Sequence, residues 1–136
     1  MAKVLLIEDE KAMSDLIAVK FRVEGFDVDQ AFSLGEAKAK LTTGPYQAVL
    51  TDYLLPDGNL PDFLAQMRQN PQTKDLPVMV MTNYVEDINA EQMRSLGVVE
   101  VLVKYQVVPA QMVEKIRMLI NATSNTGGAN GQPTPA

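Results

Sequence analysis

Short apolar runs alternate along the chain with stretches whose apolar residues recur every three or four positions. Val4 to Ile7 is continuously apolar, the pattern of a strand covered on both faces. Met13, Leu16, Ile17 and Phe21 follow at helical spacing, with Gly25 where a helix C-cap is expected. Phe26 to Ala31 reads as a second strand, and Asp27 and Asp29 at alternate positions place it near a sheet edge. Ser33-Leu34-Gly35-Glu36 has capping-box spacing and predicts a helix through Leu41. Gly44-Pro45 breaks the chain before a third strand, Ala48 to Thr51, which ends at Asp52. Pro56, Asp57, Gly58 and Asn59 predict a loop, and Pro61 suits the first turn of a helix reaching Gln69. Val78 to Met81 predicts a fourth buried strand ending in Thr82. Glu86 to Leu96 predicts a weakly amphipathic helix closed by Gly97, and Val99 to Val103 a fifth strand followed by Lys104. A last helix starts near Pro109 and turns Met112, Val113, Ile116, Leu119 and Ile120 inward.

Five strands alternating with five helices predict an α/β fold: a parallel five-stranded sheet, right-handed crossovers and helices on both faces. The folded domain should span residues 1–122. From Thr123 to Ala136 the chain has neither a charge nor a large apolar residue, and this segment is expected to be a disordered tail or linker.

Composition narrows the chemistry. The 136 residues are 46% hydrophobic, enough for a real core at this length. Twelve Lys and Arg against seventeen Asp and Glu give a net charge of −5 with no basic run, which argues against nucleic-acid and membrane surfaces. The apolar run near the N-terminus is too short for a signal peptide, so a cytoplasmic location is expected. There is no Cys and no His, which removes thiol nucleophiles, zinc fingers, catalytic triads and histidine proton shuttles. Chemistry is left to carboxylates, hydroxyls, Lys and the backbone.

An open parallel sheet places its site beyond the carboxyl ends of its strands. Those ends carry Glu8 and Asp9, Asp52, Thr82 and Lys104. Each alone has an ordinary reading: a solvated loop charge, a helix cap, a strand-forming Thr. Together they bring three carboxylates, one hydroxyl and one ammonium to one sheet edge. Clustered carboxylates repel, and hard oxygen donors with room for water suit Mg²⁺. An ionised Asp beside that ion is placed to attack a phosphoryl group, with the Lys and the hydroxyl holding its oxygens.

With these residues in place the sequence resembles the response-regulator receiver domain of two-component signalling, from Lys3 to about Ala122. The resemblance rests on Val4-Leu5-Leu6-Ile7-Glu8-Asp9-Glu10, Asp52-Tyr53-Leu54-Leu55-Pro56-Asp57-Gly58, Val78-Met79-Val80-Met81-Thr82 and Leu102-Val103-Lys104. It implies a flavodoxin-like fold with strand order 2-1-3-4-5, and Asp52 as the phosphoacceptor. Mg²⁺ would be bound by Asp9, Asp52 and the Leu54 carbonyl, with Glu8 acting through water. Thr82 and Lys104 would bind the phosphoryl oxygens. The implied partners are a histidine kinase or histidine phosphotransfer protein as donor, and an output protein or a second copy on the face of helix 4, strand 5 and helix 5. The implied domain is no enzyme beyond its own phosphorylation and dephosphorylation.

Several positions depart from the family pattern. Leu60 stands where a Gly is usual eight residues after the acceptor, and Gly58 comes early. Asn83 follows Thr82 where a small residue is usual, and it is expected to crowd the phosphoryl site. Tyr105 follows Lys104 in place of a Pro, so a trans bond or a shifted loop is expected there. Val101 replaces the usual switch aromatic, leaving Tyr84 or Tyr105 to fill that role. Leu54 and Tyr84, which in the family flank the path of hydrolytic water, are bulky and neither is a carboxamide or carboxylate that could orient it, implying a slowly hydrolysed acyl phosphate.

The alternative reading is a pseudo-receiver, the same fold serving as a constitutive interaction module. Retention of Glu8, Asp9, Asp52 and Lys104 weighs against it. A dinucleotide or P-loop protein needs a Gly-rich turn where Glu8-Asp9-Glu10 stands, and an Asp-nucleophile phosphatase needs an acid where Leu54 stands.

Overall fold

The computed structural model describes residues 1–128. Five strands form one sheet: β1 (Lys3–Ile7), β2 (Asp27–Ala31), β3 (Ala48–Asp52), β4 (Val78–Thr82) and β5 (Val98–Val103). Their order is β2-β1-β3-β4-β5 and every neighbouring pair is parallel, the order that the family resemblance implies. Between them run α1 (Lys11–Val23), α2 (Leu34–Leu41), α3 (Leu60–Gln69), α4 (Ala90–Ser95) and α5 (Pro109–Gly128).

Side chains alternate across a strand, so each apolar run feeds two cores. Leu5, Ile7, Val49, Val78 and Val80 pack with α2, α3 and α4 through Leu34, Ala37, Leu64, Met67 and Met93. Val4, Leu6, Leu50, Met79 and Met81 pack on the other face with α1 and α5 through Ile17, Phe21, Met112 and Ile116. This is why the central runs are apolar without a break. β2 lies at one edge, as its alternating Asp residues suggest, with Asp27 exposed and Val28 and Ala31 buried.

The helix starts show how local chemistry sets boundaries. Ser33 Oγ accepts the Glu36 N–H at 3.1 Å, while Glu36 Oε1 reaches back to the Phe32 N–H at 2.8 Å. Asn59 caps α3 by accepting the Asp62 N–H at 3.0 Å, so that helix begins at Leu60 with Pro61 in its first turn.

Three stretches differ from the sequence expectation. The helix expected over Glu86–Leu96 is a 3-10 turn at Val85–Asp87, an extended Ile88 and a helix confined to Ala90–Ser95. Asn89 is the cause: its side chain accepts the Gln92 N–H at 3.0 Å, and the extended backbone of a capping residue stops the helix from growing backwards. The loop expected over Pro56–Asn59 is the tip of a small antiparallel hairpin that pairs Leu54–Leu55 with Gly58–Asn59. At the C-terminus α5 continues past Thr123 to Gly128, since extending a formed helix needs no new nucleus. The rest of the expected disordered tail, 129–136, lies outside the described residues.

Gly97 closes α4 at φ +85°, and a Cβ there would stand 2.6 Å from the Arg68 guanidinium. Arg68 needs that space, because it donates to the carbonyls of Leu96, Thr73 and Leu76 and so ties the end of α3 to the end of α4. Among the described residues no helix is long and apolar enough to cross a membrane.

Candidate functional site at the strand ends

β1 and β3 are adjacent and in register, with Ile7 opposite Thr51, so Glu8 and Asp52 emerge side by side. β5 brings Lys104 to the same edge, although it is 96 residues from Glu8 in sequence. Lys104 Nζ donates to Glu8 Oε1 at 2.8 Å and to Asp52 Oδ2 at 3.0 Å. Glu8 is 1% exposed, and its other oxygen accepts the Glu10 N–H at 3.0 Å. Burial pushes the Glu8 carboxyl above its ordinary value and the charge of Asp52 adds to this, against the opposing bonds from Lys104 and the Glu10 N–H. For Lys104, burial works to lower the ammonium, but the bonds to Glu8 and Asp52 prevail and hold it above its ordinary value.

Asp9, at the exposed rim, completes the group. One carboxylate oxygen from each of Glu8, Asp9 and Asp52 lies within 4.8 Å of the others. Three hard oxygen donors against a single ammonium suit a hard divalent cation, and the exposure of Asp9 leaves water access.

The other expected residues surround this group. Leu54 begins the hairpin two residues beyond Asp52, and its N–H points at Asp52 Oδ1 at 3.4 Å. Its side chain is half exposed. Thr82 is buried at the end of β4, and its hydroxyl accepts the Tyr84 N–H at 3.0 Å. Asn83, next to Thr82, is exposed and braces a turn, with Oδ1 accepting the Tyr105 N–H at 2.9 Å and joining the loop after β4 to the residues after Lys104. The bond after Lys104 is trans, as is every peptide bond among the described residues. Tyr84 and Tyr105 are both exposed, Tyr105 by 72%, so neither closes over Asp52 in this structure. Val101 is half-buried against the core under α2, α3 and α4. Leu60, in the usual Gly position, is a fully buried first-turn residue of α3.

Sequence reading passed over Asp57. Its two carboxylate oxygens accept the N–H groups of Leu34 and Gly35, each at 2.9 Å, across 23 and 22 residues of sequence. The only signal was an Asp in a turn, which is ordinary there.

Comparison with known proteins agrees with this arrangement. The model of the response regulator receiver domain family matches residues 4–117. The phosphate regulon transcriptional regulatory protein PhoB of Rhizobium meliloti is 30% identical over 95 residues, 70% of this chain and 41% of that protein. The CpxR homolog of Haemophilus influenzae is 34% identical over 104 residues, 76% of this chain and 44% of that one. The chain thus spans less than half the length of these two curated relatives. In fold it is similar to a CheY-like receiver domain protein from Methanospirillum hungatei, with a TM-score of 0.83 and 22% identity over 92% of this chain and 98% of that one. TrrA of Thermotoga maritima, solved in complex with Mg(2+)-BeF, superposes with a TM-score of 0.75 and 24% identity over 88% of this chain and 99% of that one. With the sheet order, the acidic strand ends and the matched length in agreement, this chain belongs to the response regulator receiver domain family of two-component signalling.

Proposed function

We propose that Asp52 is the phosphoacceptor of this receiver, that Mg²⁺ is held by Glu8, Asp9, Asp52 and the Leu54 carbonyl, and that Thr82 and Lys104 receive the phosphoryl oxygens. The observation that carries this reading is Lys104 bridging Glu8 and Asp52 with Asp9 in the same carboxylate group. An Asp52 oxygen attacks phosphorus on a phosphohistidine donor. The new P–O bond forms as the P–N bond breaks, the imidazole leaves with the electron pair and takes up a proton, and Asp52 becomes an acyl phosphate. When bound, the metal supplies positive charge to phosphoryl oxygens that would otherwise repel the attacking carboxylate. Lys104 already stands 3.0 Å from Asp52 and needs no large movement to stabilise the same charge.

This chain has no His and so does not itself supply a phosphohistidine, and the donor implied is a histidine kinase or a phosphotransfer protein. The face of α4, β5 and α5 is the surface offered to an output protein or a second copy, and Val99, Val108 and Met118 are exposed apolar residues of those elements or their approach. Leu54 and Tyr84, half exposed, bulky and neither a carboxamide nor a carboxylate, favour a long-lived phosphoryl group. Replacing them together by Asn and Ala is expected to shorten its half-life.

Incubation with acetyl phosphate, with and without EDTA, tests the reading. One phosphoryl group that requires Mg²⁺ and is released by hydroxylamine, as an acyl phosphate is, agrees with it. A hydroxylamine-stable ester, or uptake indifferent to EDTA, contradicts it.

A further inference from the structure

The loop after Asp52 is held from outside by a contact that the acceptor chemistry does not itself require. Asp57 sits at the tip of the hairpin formed by Leu54–Leu55 and Gly58–Asn59. Its carboxylate spans two successive N–H groups at the start of α2, Leu34 through Oδ1 and Gly35 through Oδ2. The helix N-terminus favours that negative charge, and the two bonds hold the Asp57 carboxyl below its ordinary value. A second contact fixes the same junction. The Gly58 backbone lies so near Leu34 that a Cβ there would stand 3.0 Å from Leu34 Cδ1. Ser33 meanwhile serves the next N–H, that of Glu36, so α2 has a cap of its own and does not depend on Asp57 for one.

We infer that Asp57 is a positioning residue for the Asp52 site: by fastening the hairpin tip to the first turn of α2, it fixes where the Leu54 carbonyl stands relative to Asp52. The inference rests on the phosphoacceptor reading, in which that carbonyl is a metal ligand. Only two residues lie between Leu54 and Asp57, and the hairpin pairs Leu54 with Asn59, so a tip free to swing carries Leu54 with it. Both oxygens are used, and so the carboxylate matters. An Asn keeps one acceptor but turns an N–H₂ group toward the second N–H.

The test compares Asp57→Ala, Asp57→Asn and Ser33→Ala in the full chain. Ser33→Ala removes an α2 cap of similar kind without touching the hairpin. Two quantities are read: Mg²⁺ affinity by calorimetry, and amide hydrogen exchange of residues 53–60 in the metal-free protein. Asp57→Ala is expected to weaken Mg²⁺ binding roughly tenfold, as loss of a ligand-orienting partner does, and to speed exchange across the hairpin. Asp57→Asn should fall between it and the wild type, and Ser33→Ala should loosen the start of α2 while leaving both quantities at wild-type values. If Asp57→Ala and Ser33→Ala behave alike, or if Asp57→Ala binds Mg²⁺ as the wild type does, the inference is overturned and the phosphoacceptor reading stands. A wild type that binds no Mg²⁺ overturns both.

Discussion

Two charged clusters sit on the same sheet and differ in how their charges are matched. Beside the edge strand β2, Asp29 accepts the Tyr46 O–H at 2.6 Å and pairs with Lys3 Nζ at 3.4 Å, one carboxylate with two donors. The Tyr46 bond holds Asp29 below its ordinary value even though partial burial works the other way. At the carboxyl ends of β1, β3 and β5, three carboxylates stand with a single ammonium, and burial pushes Glu8 above its ordinary value. The first cluster is complete and holds strand and loop together. The second holds more carboxylate charge than its one ammonium matches, and that unmatched charge, rather than charge as such, makes it compatible with a metal.

The comparison can be broken most sharply at Lys104. Lys104→Met leaves Glu8 and Asp52 close together without their shared ammonium, and urea unfolding of the metal-free protein is expected to show a loss of about 3 kcal/mol. Mg²⁺ should then restore more stability to the variant than it adds to the wild type, because the ion no longer competes with an ammonium. Equal Mg²⁺ effects on the two proteins would mean that the ammonium and the metal do not share these carboxylates.

Asp9→Ala should remove most of the Mg²⁺ affinity in a calorimetric titration. It should also make the metal-free fold slightly more stable, by roughly a few tenths of a kcal/mol, through relief of like-charge repulsion. Tyr46→Phe should do the reverse, costing about 1 kcal/mol for a lost bond to a charged group while leaving Mg²⁺ affinity unchanged.

The smallest effects carry the clearest signs. Asp29 lies below its ordinary 3.8, so its contribution is present at neutral pH and disappears as pH falls through its lowered value. Asp29→Asn should therefore be less stable than wild type at pH 7, with the gap closing in acid. Glu8 lies above its ordinary 4.5, so the folded protein holds that proton more tightly than the unfolded chain, and ionisation costs stability as pH rises through this range. Glu8→Gln should be more stable than wild type at pH 7, by roughly a few tenths of a kcal/mol, with the gain gone once pH falls to the ordinary glutamate value. Thermal unfolding across acid pH reads both, and a shared sign would contradict the contrast between the clusters.

The sequence makes the sheet legible because its central strands are nearly continuous apolar runs that give way to polar residues. The edge strand β5, interrupted by the exposed Glu100, still ends in Leu102-Val103 before Lys104. Ile7-Glu8, Thr51-Asp52, Met81-Thr82 and Val103-Lys104 mark four ends directly. What it hides depends on distance or on competition between caps. The Asp57 carboxylate finds its partners 22 and 23 residues upstream, and nothing local announces them. Glu86 and Asp87 look like a helix start, yet Asn89 takes the cap three residues later and shortens α4. The Asn83 side chain likewise finds a partner in the Tyr105 N–H, 22 residues away, which nothing near it in sequence announces.

The central claim is that Asp52 accepts the phosphoryl group, and intact mass measurement of wild type and Asp52→Asn after incubation with Mg²⁺ and acetyl phosphate tests it most directly. The account predicts a gain of one phosphoryl group in the wild type and none in a variant that remains folded. An adduct that persists in Asp52→Asn, carried by Asp9 or Asp57, or a wild type that never gains one, would contradict it.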